Sequence, residues 1–352
     1  MAATVDAHPK RYAANELTRW TALTFCASGL AVDAAQQIAE TLVRTDLRGY
    51  RTHGLTRVAS YLERFSAGDF NSKPDIRIDV RDGVIVVDSD GALGHVVAPL
   101  LQEKAIAELK KRPQVFVAVR ECGHLGALGI HALAAAEAGA FCILGQRTPP
   151  MLAMEGFREP GLGHNPIAFG CPMEGREPIV FDIACSVAAR GHILLAARDG
   201  KPIPAGWAVD RHGVPTTDAQ AAVHGMLMPM GGHKGVGIAM MVECLAGAFT
   251  ATAESLSTFV TRVPAGGAVG RQSAFFWFMD PGGLSGRDIF DAYTAKWTSV
   301  YEGAGGRLPG SRGIELEHQG RKDGLTLAPE IERELQDVGR RTGVPFDLVA
   351  VG

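Results

Sequence analysis

The hydrophobic pattern of this 352-residue chain changes its period near residue 73. Before that point, apolar residues recur at helical spacing; after it, Ile76, Ile78 and Val80 alternate with polar residues, and Asp82-Gly83 follows as a turn. This change predicts helices that pack beside a sheet whose first two strands form a hairpin. The helices predicted before the change cover 15–27, 33–48 and a segment from the His53 turn to Gly68.

Strands and helices alternate in the rest of the chain, which predicts an α/β fold with a mixed sheet. Further strands are predicted at 115–119, 141–144, 167–169, 179–183 and 274–279. Further helices are predicted at 96–111, 127–138, 186–198, 237–250, 288–301 and from Pro329 onward. Asp33 is the predicted cap of the second helix, with Gln36 as its capping-box partner. Residues 303–323 are predicted to be a loose connector.

Charge and composition exclude several classes of function. The formal net charge is −3 and no basic run occurs, so we expect no binding to nucleic acid. No stretch reaches the ~20 apolar residues that span a bilayer, and the start of the chain lacks an apolar signal core, so we expect no membrane association. The 6 cysteines form no C-x-x-C pair, which is typical of reduced thiols. We therefore predict a cytoplasmic protein.

The stretch from Asp46 to Arg57 places an imidazole and a hydroxyl among three guanidiniums. Arginine binds a carboxylate with two parallel hydrogen bonds, and histidine transfers protons near neutral pH. Arg48, Thr52, His53 and Arg57 therefore have the chemistry to bind a small acid and to protonate the atom beside its carboxyl group. The alternative is an ordinary helix start with a capping threonine and solvated arginines.

Two glycine-rich turns are further candidates. Gly123–Gly129 joins an apolar strand to a helix, and His124 within it is either a proton-transfer residue or a turn histidine bonded to the backbone. Gly231–Gly235 contains Lys234, which is either a partner for an anion or simply solvated. No strand is followed by G-x-G-x-x-G, so the classical Rossmann fingerprint is missing. No His, Cys, Asp or Glu grouping has metal-ligand spacing, so we predict no metal site.

Several short motifs occur together in a fixed order, and their series resembles the type-2 malate/L-lactate dehydrogenase family. Members of this family reduce 2-oxo acids or cyclic 2-imino acids with NADH or NADPH. The resemblance extends from about Asn15 to Pro345. It rests on these motifs: Asp46–Gly49 with Thr52–Gly54, Gly123-His124, Gly163–Phe169, Phe181–Ala184, Ile203–Trp207, Gly231–Gly235 and Leu308–Gly310.

The resemblance implies a nucleotide-binding fold without the Rossmann fingerprint and a homodimer with active sites near the subunit interface. It implies a helical domain formed by residues 1–72 with 285–352 and a mixed-sheet NAD(P)-binding domain at 73–284. The implied catalytic residues are His53, Thr52, Asp182 as a relay partner, and His124. The implied substrate carboxylate ligands are Arg48 and Arg57. The implied cofactor-binding residues are Thr148, Asp182, Ile183, Ala184, His233, Lys234, Pro309, Gly310 and Ser311.

The sequence departs from the family pattern at Gln146-Arg147, at His164 and at Ser311. A charged Arg147 beside the nucleotide would pair with a 2′-phosphate, so we predict NAD or NADP as cofactor with NADPH favoured. Three functions stay open: a 2-oxo acid reductase or 2-hydroxy acid dehydrogenase of the malate/lactate type, a reductase of cyclic ketimines (Δ1-piperideine-2-carboxylate or Δ1-pyrroline-2-carboxylate), and a binding protein that has lost catalysis. Whether His53 or His124 is the main acid also stays open.

Overall fold

The structure is a computed structural model, which describes residues 9–154, 156–257, 259 and 271–351. Its α-helices are α1 (Ala14–Ala27), α2 (Val32–Leu47), α3 (Val58–Ser66), α4 (Gly94–Leu109), α5 (Leu128–Glu137), α6 (Arg190–Arg198), α7 (Ala219–Val223), α8 (His233–Val242), α9 (Ala253–Ser257), α10 (Gly282–Ser285), α11 (Arg287–Gly303), α12 (Ser311–Asp323) and α13 (Pro329–Thr342). Its strands are β1 (Lys10–Tyr12), β2 (Arg77–Arg81), β3 (Val84–Asp88), β4 (Gln114–Cys122), β5 (Phe141–Gln146), β6 (Pro150–Leu152), β7 (Leu162–Gly163), β8 (Ile167–Cys171), β9 (Ile179–Ile183), β10 (Ala208–Val209), β11 (Pro215–Thr216), β12 (Met226–Leu227), β13 (Gln272–Met279) and β14 (Leu325–Leu327).

A seven-stranded sheet with the order β2-β3-β4-β13-β5-β8-β9 forms the centre of the fold. β3 and β4 are parallel, and every other neighbouring pair in it is antiparallel. The predicted mixed α/β architecture is therefore confirmed. α4 and α5 pack against this sheet, and Gly170 of β8 lies so close to the carbonyl of Ala132 in α5 that a Cβ would overlap it. A side chain at position 170 would force the helix away from the sheet.

The first helices and the end of the chain share a second core. Leu17, Phe25 and Leu42 from α1 and α2 are buried with Leu335 of α13. The indole of Trp20 donates to the backbone carbonyls of residues 344 and 345, and β1 pairs antiparallel with β14. The first and the last segments that the structure describes are thus packed together. The predicted domain boundaries, 1–72 with 285–352 and 73–284, stay a prediction.

Three sequence predictions about helices are wrong. α2 begins at Val32 after Ala31, and no side chain caps it, so the predicted Asp33 cap is absent. The segment predicted as a loose connector contains α12, whose Gly320 lets the helix approach Leu47 of α2 closely. The helix predicted at 237–250 begins earlier, at 233, and changes to π-helical and 3₁₀ turns from 243 onward. Each difference depends on tertiary contacts rather than on local propensity.

A smaller five-stranded sheet, in the order β11-β10-β12-β6-β7, flanks the central one. Its apolar side packs on α6, α7 and α8, with Leu152, Ile193 and Ala239 buried in its core. α6 is thereby fixed close to the end of β9. Within the described ranges, no helix is both long and apolar enough to cross a membrane.

Candidate active site

A cavity of about 1230 Å³ lies between the N-terminal helices, the ends of β4 and β9, and the start of α6. A cavity larger than the ~300–1,000 Å³ typical of one small ligand has room for a cofactor and a substrate together. Eight residues predicted from the sequence line it: Thr52, His53, Arg57, His124, Thr148, Asp182, Ile183 and Ala184.

The loop that carries Thr52 and His53 is closed by Asp46 at the end of α2. The Asp46 carboxylate accepts a hydrogen bond of 2.7 Å from the backbone N–H of Leu55. Gly54 lies against this carboxyl group so closely that a Cβ would overlap it. Burial raises the pKa of Asp46 to about 7. The glycine after the histidine is therefore required by the turn that presents the imidazole.

The His53 ring is joined to its neighbour in sequence by a short hydrogen bond. The hydroxyl of Thr52 lies 2.8 Å from His53 Nδ1. When this hydroxyl donates to Nδ1, the ring proton is on Nε2, which leaves Nε2 as the nitrogen for a ligand. Burial, followed by the charges of Arg57, His164 and His192, lowers the pKa of His53 to about 3. The imidazole is therefore neutral at pH 7.

The second histidine, His124, follows β4 and lies beside the first. Its ring centroid is 5.5 Å from that of His53, and its Nδ1 lies 2.7 Å from the hydroxyl of Tyr61 in α3. Burial raises the pKa of Tyr61 to about 12, so the phenol keeps its proton and is able to donate it to Nδ1. Burial, and then the neighbouring charges, lower the pKa of His124 well below its usual value. His53 and His124 are therefore two neighbouring neutral imidazoles in the cavity wall, each hydrogen-bonded at Nδ1 to a hydroxyl.

The turn that holds His124 is braced from behind by Gln146 of β5. The side-chain oxygen of Gln146 accepts from the N–H of Leu125 at 3.1 Å, and its amide nitrogen donates to the carbonyl of Gly123 at 2.9 Å. Gln146 is only 1% exposed. One buried amide thus satisfies both backbone groups that flank His124, which fixes the imidazole in the cavity wall.

Asp182, at the end of β9, is held by the start of α5. Its carboxylate accepts a 2.7 Å hydrogen bond from the backbone N–H of Gly129. Burial raises the pKa of Asp182 to about 6, although the hydrogen bond from Gly129 lowers it. Burial and the nearby Asp182 raise the pKa of Tyr50 to about 12. Among the described residues no hydrogen bond joins Asp182 to His53, so the predicted relay is not formed.

The two arginines predicted to bind the substrate carboxylate have different surroundings. Arg57 lines the cavity and uses its Nε to donate to the carbonyl of Thr52 at 2.6 Å, which fixes the rest of the guanidinium beside the imidazoles. Arg48 is outside the cavity lining; its side chain is buried and ion-paired with Glu317 of α12 at 3.0 Å. The structure therefore places only Arg57 beside the two histidines.

The predicted cofactor residues fall into two groups. Thr148 and the segment 182–184 lie on one wall of the cavity. The other five do not line it. His233 and Lys234 are exposed at the start of α8, and Pro309 borders a separate apolar cavity of about 660 Å³. Gly310 packs on the backbone of β9, and Ser311 donates its hydroxyl to the carbonyl of residue 308 at 2.8 Å.

Most of the cavity wall was not predicted, and four of its unpredicted residues bear on the chemistry of the site: Tyr61, Gln146, His164 and Arg190. His164 Nδ1 lies 3.1 Å from the hydroxyl of Thr148, and burial lowers the pKa of His164 to about 4. Tyr61 follows Arg57 by four residues, so both project from the same side of α3. That spacing is the one signal in the sequence that could have identified Tyr61.

The charged departure from the family pattern, Arg147, is not part of the cavity wall. Its Nε forms a 2.6 Å ion pair with Glu243, and its guanidinium carbon lies 4.6 Å from the centre of the Phe259 ring. Arg147 therefore already has an acidic partner within the chain, and the reason for expecting it to bind a 2′-phosphate is lost.

Comparisons with known proteins identify the family of the chain. A sequence profile of the family described as Malate/L-lactate dehydrogenase matches residues 12–336. The chain is 34% identical over 310 residues to a Delta(1)-pyrroline-2-carboxylate/Delta(1)-piperideine-2-carboxylate reductase of Pseudomonas aeruginosa, a match that covers 85% of this chain and 90% of that protein. It is 33% identical over 304 residues to a (2R)-3-sulfolactate dehydrogenase (NADP(+)) of Chromohalobacter salexigens, with 86% and 90% covered.

The fold is shared with a solved relative. The crystal structure of delta1-piperideine-2-carboxylate reductase from Pseudomonas syringae pvar. tomato superposes with a TM-score of 0.86 at 27% identity, covering 94% of this chain and 99% of that one. The family predicted from the motifs is thus confirmed. The chain belongs to the malate/L-lactate dehydrogenase family of NAD(P)-dependent dehydrogenases and reductases.

Proposed function

We propose that the protein transfers a hydride between the nicotinamide of NAD(P) and C2 of a small 2-oxo or 2-hydroxy acid. The observation that carries this proposal is the pair of neutral, half-buried imidazoles of His53 and His124, which share one cavity with the guanidinium of Arg57. A proton-transfer group beside a carboxylate ligand is what the reduction of a carbonyl next to a carboxyl group requires.

The residues present fit a nicotinamide cofactor at the wall formed by Thr148 and 182–184. This wall combines a hydroxyl, a carboxyl group and backbone at the end of a strand, and the cavity has room beyond a small acid. The nicotinamide, when bound, would supply or accept the hydride at C2. The choice between NADH and NADPH stays open, because Arg147 is paired with Glu243 and no longer supports NADPH.

The chain's own residues would supply orientation and the proton. We assign the substrate C1 carboxylate to Arg57, which fixes C2 beside the imidazoles. In the oxidation direction, the tautomer that acts is the one in which Nδ1–H donates to the neighbouring hydroxyl, of Thr52 or Tyr61. Its Nε2 then has a free lone pair and accepts the proton of the 2-hydroxyl group. In the reduction direction, the bound carboxylate raises the pKa of the adjacent histidine, which then donates its proton to the 2-oxo oxygen. His53 and His124 both line the cavity with Arg57, which supports either of them as this acid.

A cyclic 2-imino acid is the second candidate substrate. The reductase of Pseudomonas aeruginosa and the solved reductase of Pseudomonas syringae are named for such substrates, and both match nearly the whole chain. These substrates also place a carboxylate next to a reducible carbon, so Arg57 would bind them in the same way. The two candidate substrates differ in the atom double-bonded to C2, an oxygen or a ring nitrogen, and not in the position of the carboxylate.

The test is the oxidation of NADH and NADPH with pyruvate, oxaloacetate and Δ1-piperideine-2-carboxylate, each compared by kcat/KM. His53→Asn and His124→Asn are then compared by their pH profiles of kcat, with the exposed His318→Asn as control. The variant of the main acid is expected to lose about 10²–10⁴ in kcat. Equal, small losses in both would reject the assignment of either histidine as the acid. No oxidation with any acid, together with no binding of cofactor, would favour the third alternative, a protein that has lost catalysis.

The predicted homodimer is compatible with the surface of α11. Four large apolar side chains lie exposed along this helix, at spacings that place them on one side: Ile289, Tyr293, Trp297 and Val300. Such a row is unusual on a monomer. Light scattering of the purified protein, with Tyr293→Glu as the disrupting variant, tests this assembly. The cytoplasmic location also stays a prediction.

A further inference from the structure

Arg190 is the first residue of α6 and lines the cavity. Arg190, Gly191 and His192 all line the cavity. A Cβ built on Gly191 would lie 3.5 Å from the Cβ of Thr52, in ordinary contact. The backbone around Arg190 therefore runs directly beside the loop that presents His53. A group bound by Arg190 would lie close to the reacting centre.

The guanidinium of Arg190 is unpaired among the residues that the structure describes. Over the ranges that the structure describes, no hydrogen bond or ion pair involves its side chain, although the residue is half-buried. Three other arginines with largely buried side chains have carboxylate partners: Arg44 and Arg48 are paired with Glu317, and Arg147 with Glu243. Burial lowers the pKa of Arg190, which reflects a charge removed from water without compensation.

An uncompensated, partly buried charge is costly, so a protein that retains one beside a ligand cavity has left a place for an anion. No carboxylate contributes to the pKa of Arg190, which burial alone shifts. His164 lies close enough that the charge of Arg190 lowers its pKa, and both His164 and His53 are neutral at pH 7. A planar guanidinium binds the paired oxygens of a carboxylate or sulfonate with two parallel hydrogen bonds.

Two partly buried arginines without a carboxylate partner among the described residues thus line the cavity: Arg57 beside His53 and His124, and Arg190 beside His164. A monocarboxylic substrate would satisfy only one of them. We propose that Arg190 binds a second acidic group of the substrate, a carboxylate or sulfonate on C3 or C4, so that the enzyme prefers 2-oxo and 2-hydroxy acids with two negative charges. This inference rests on the proposed function and on the assignment of the C1 carboxylate to Arg57.

The test compares substrates that differ in the second acid. Arg190→Gln is expected to lower kcat/KM for oxaloacetate about 10- to 100-fold, because one charge-assisted pair is lost. The value for pyruvate is expected to change less than about threefold, since pyruvate has no second acid. Arg190→Lys is expected to recover part of the activity toward oxaloacetate, because a point charge replaces the two parallel hydrogen bonds. The control is Arg198→Gln, at the exposed end of the same helix.

Binding without turnover separates this inference from the proposed function. Malate is expected to raise the melting temperature of the wild-type protein more than lactate does, and Arg190→Gln is expected to remove this difference. If Arg190→Gln lowered kcat/KM equally for oxaloacetate and pyruvate, Arg190 would bind the carboxylate that both substrates share. If the variant raised only the KM for NAD(P)H, Arg190 would bind a cofactor phosphate. Either result would overturn the inference. A wild-type preference for pyruvate or Δ1-piperideine-2-carboxylate would also overturn it, while leaving the proposed oxidoreductase intact. No turnover with any acid would reject both.

Discussion

Replacing Gln146 with Leu tests whether the buried amide behind His124 holds the active-site turn. The substitution keeps the size of the side chain but leaves the N–H of Leu125 and the carbonyl of Gly123 without a partner. Each buried polar group that loses its partner costs about 1–3 kcal/mol. The added apolar surface offsets part of this loss, so we expect the free energy of unfolding to fall by about 2–4 kcal/mol.

The assay is urea denaturation followed by circular dichroism, with kcat measured on the folded variant. Because an active-site group displaced by about 1 Å costs up to 10²-fold in rate, we expect kcat to fall by about 10- to 100-fold while the KM for NAD(P)H changes little. The control is Gln114→Leu, since Gln114 also accepts a hydrogen bond in the same sheet, from the indole of Trp277, but on an exposed face. If Gln146→Leu and Gln114→Leu lowered stability equally, the bracing role would be refuted.

Three further changes probe buried charges. Glu317→Ala removes the carboxylate paired with buried Arg48 and is expected to lower the free energy of unfolding, measured in urea, by about 3–5 kcal/mol. The exposed Glu315→Ala is expected to lower it by less than about 1 kcal/mol. If Glu317→Ala also raised the KM for the acid substrate strongly, Arg48 would have to be assigned to substrate binding after all. Burial lowers the pKa of His95 to about 3 in the folded protein, against about 6.5 in the unfolded chain, so the folded state loses stability as the pH falls below 6.5. His95→Leu is expected to reduce this decline of the unfolding free energy, between pH 6.5 and 4, by about 1.4 kcal/mol per pH unit. An unchanged slope in the variant would contradict this. Burial raises the pKa of Asp46 to about 7, so its ionisation in the folded protein costs stability as the pH rises from about 4 to 7. Over that range, the unfolding free energy of Asp46→Asn is expected to increase relative to that of the wild type by more than about 1 kcal/mol, measured by thermal or urea unfolding. A difference that stays constant with pH would contradict a raised pKa.

The elements with a strong local pattern could be predicted from the sequence. The strand predicted at 179–183 has those bounds in the structure, and α13 begins at Pro329 as predicted. The segment containing α12 could not be predicted, because its polar composition and its glycines are typical of a loop. Gly313 and Gly320 are instead where the helix approaches Arg48 and Leu47 of α2. Such contacts join parts of the chain more than 250 residues apart, which no local pattern reveals.

The candidate site, too, could be predicted from the sequence only in part. The motif around His53 and the turn around His124 were visible as chemistry, and the fold brings them to one cavity. Tyr61 reads as an apolar position of an amphipathic helix, and only the folded chain places its hydroxyl on His124. Arg190 has no motif at all. The role proposed for Arg190 rests on the absence of a partner among the described residues, which is a property of the three-dimensional structure alone.

The position of β13 has a consequence for how the chain is made. This strand lies between β4 and β5 in the central sheet, although it follows both of them in sequence by more than 120 residues. A ribosome that adds about 5–20 residues per second has therefore synthesised both neighbours many seconds before the strand that joins them exists. During that interval, β4 and β5 each present an unpaired edge, which is a template for aggregation. Nascent chains that end before residue 272 should accordingly depend on chaperones, and the sheet closes only after most of the protein has been translated.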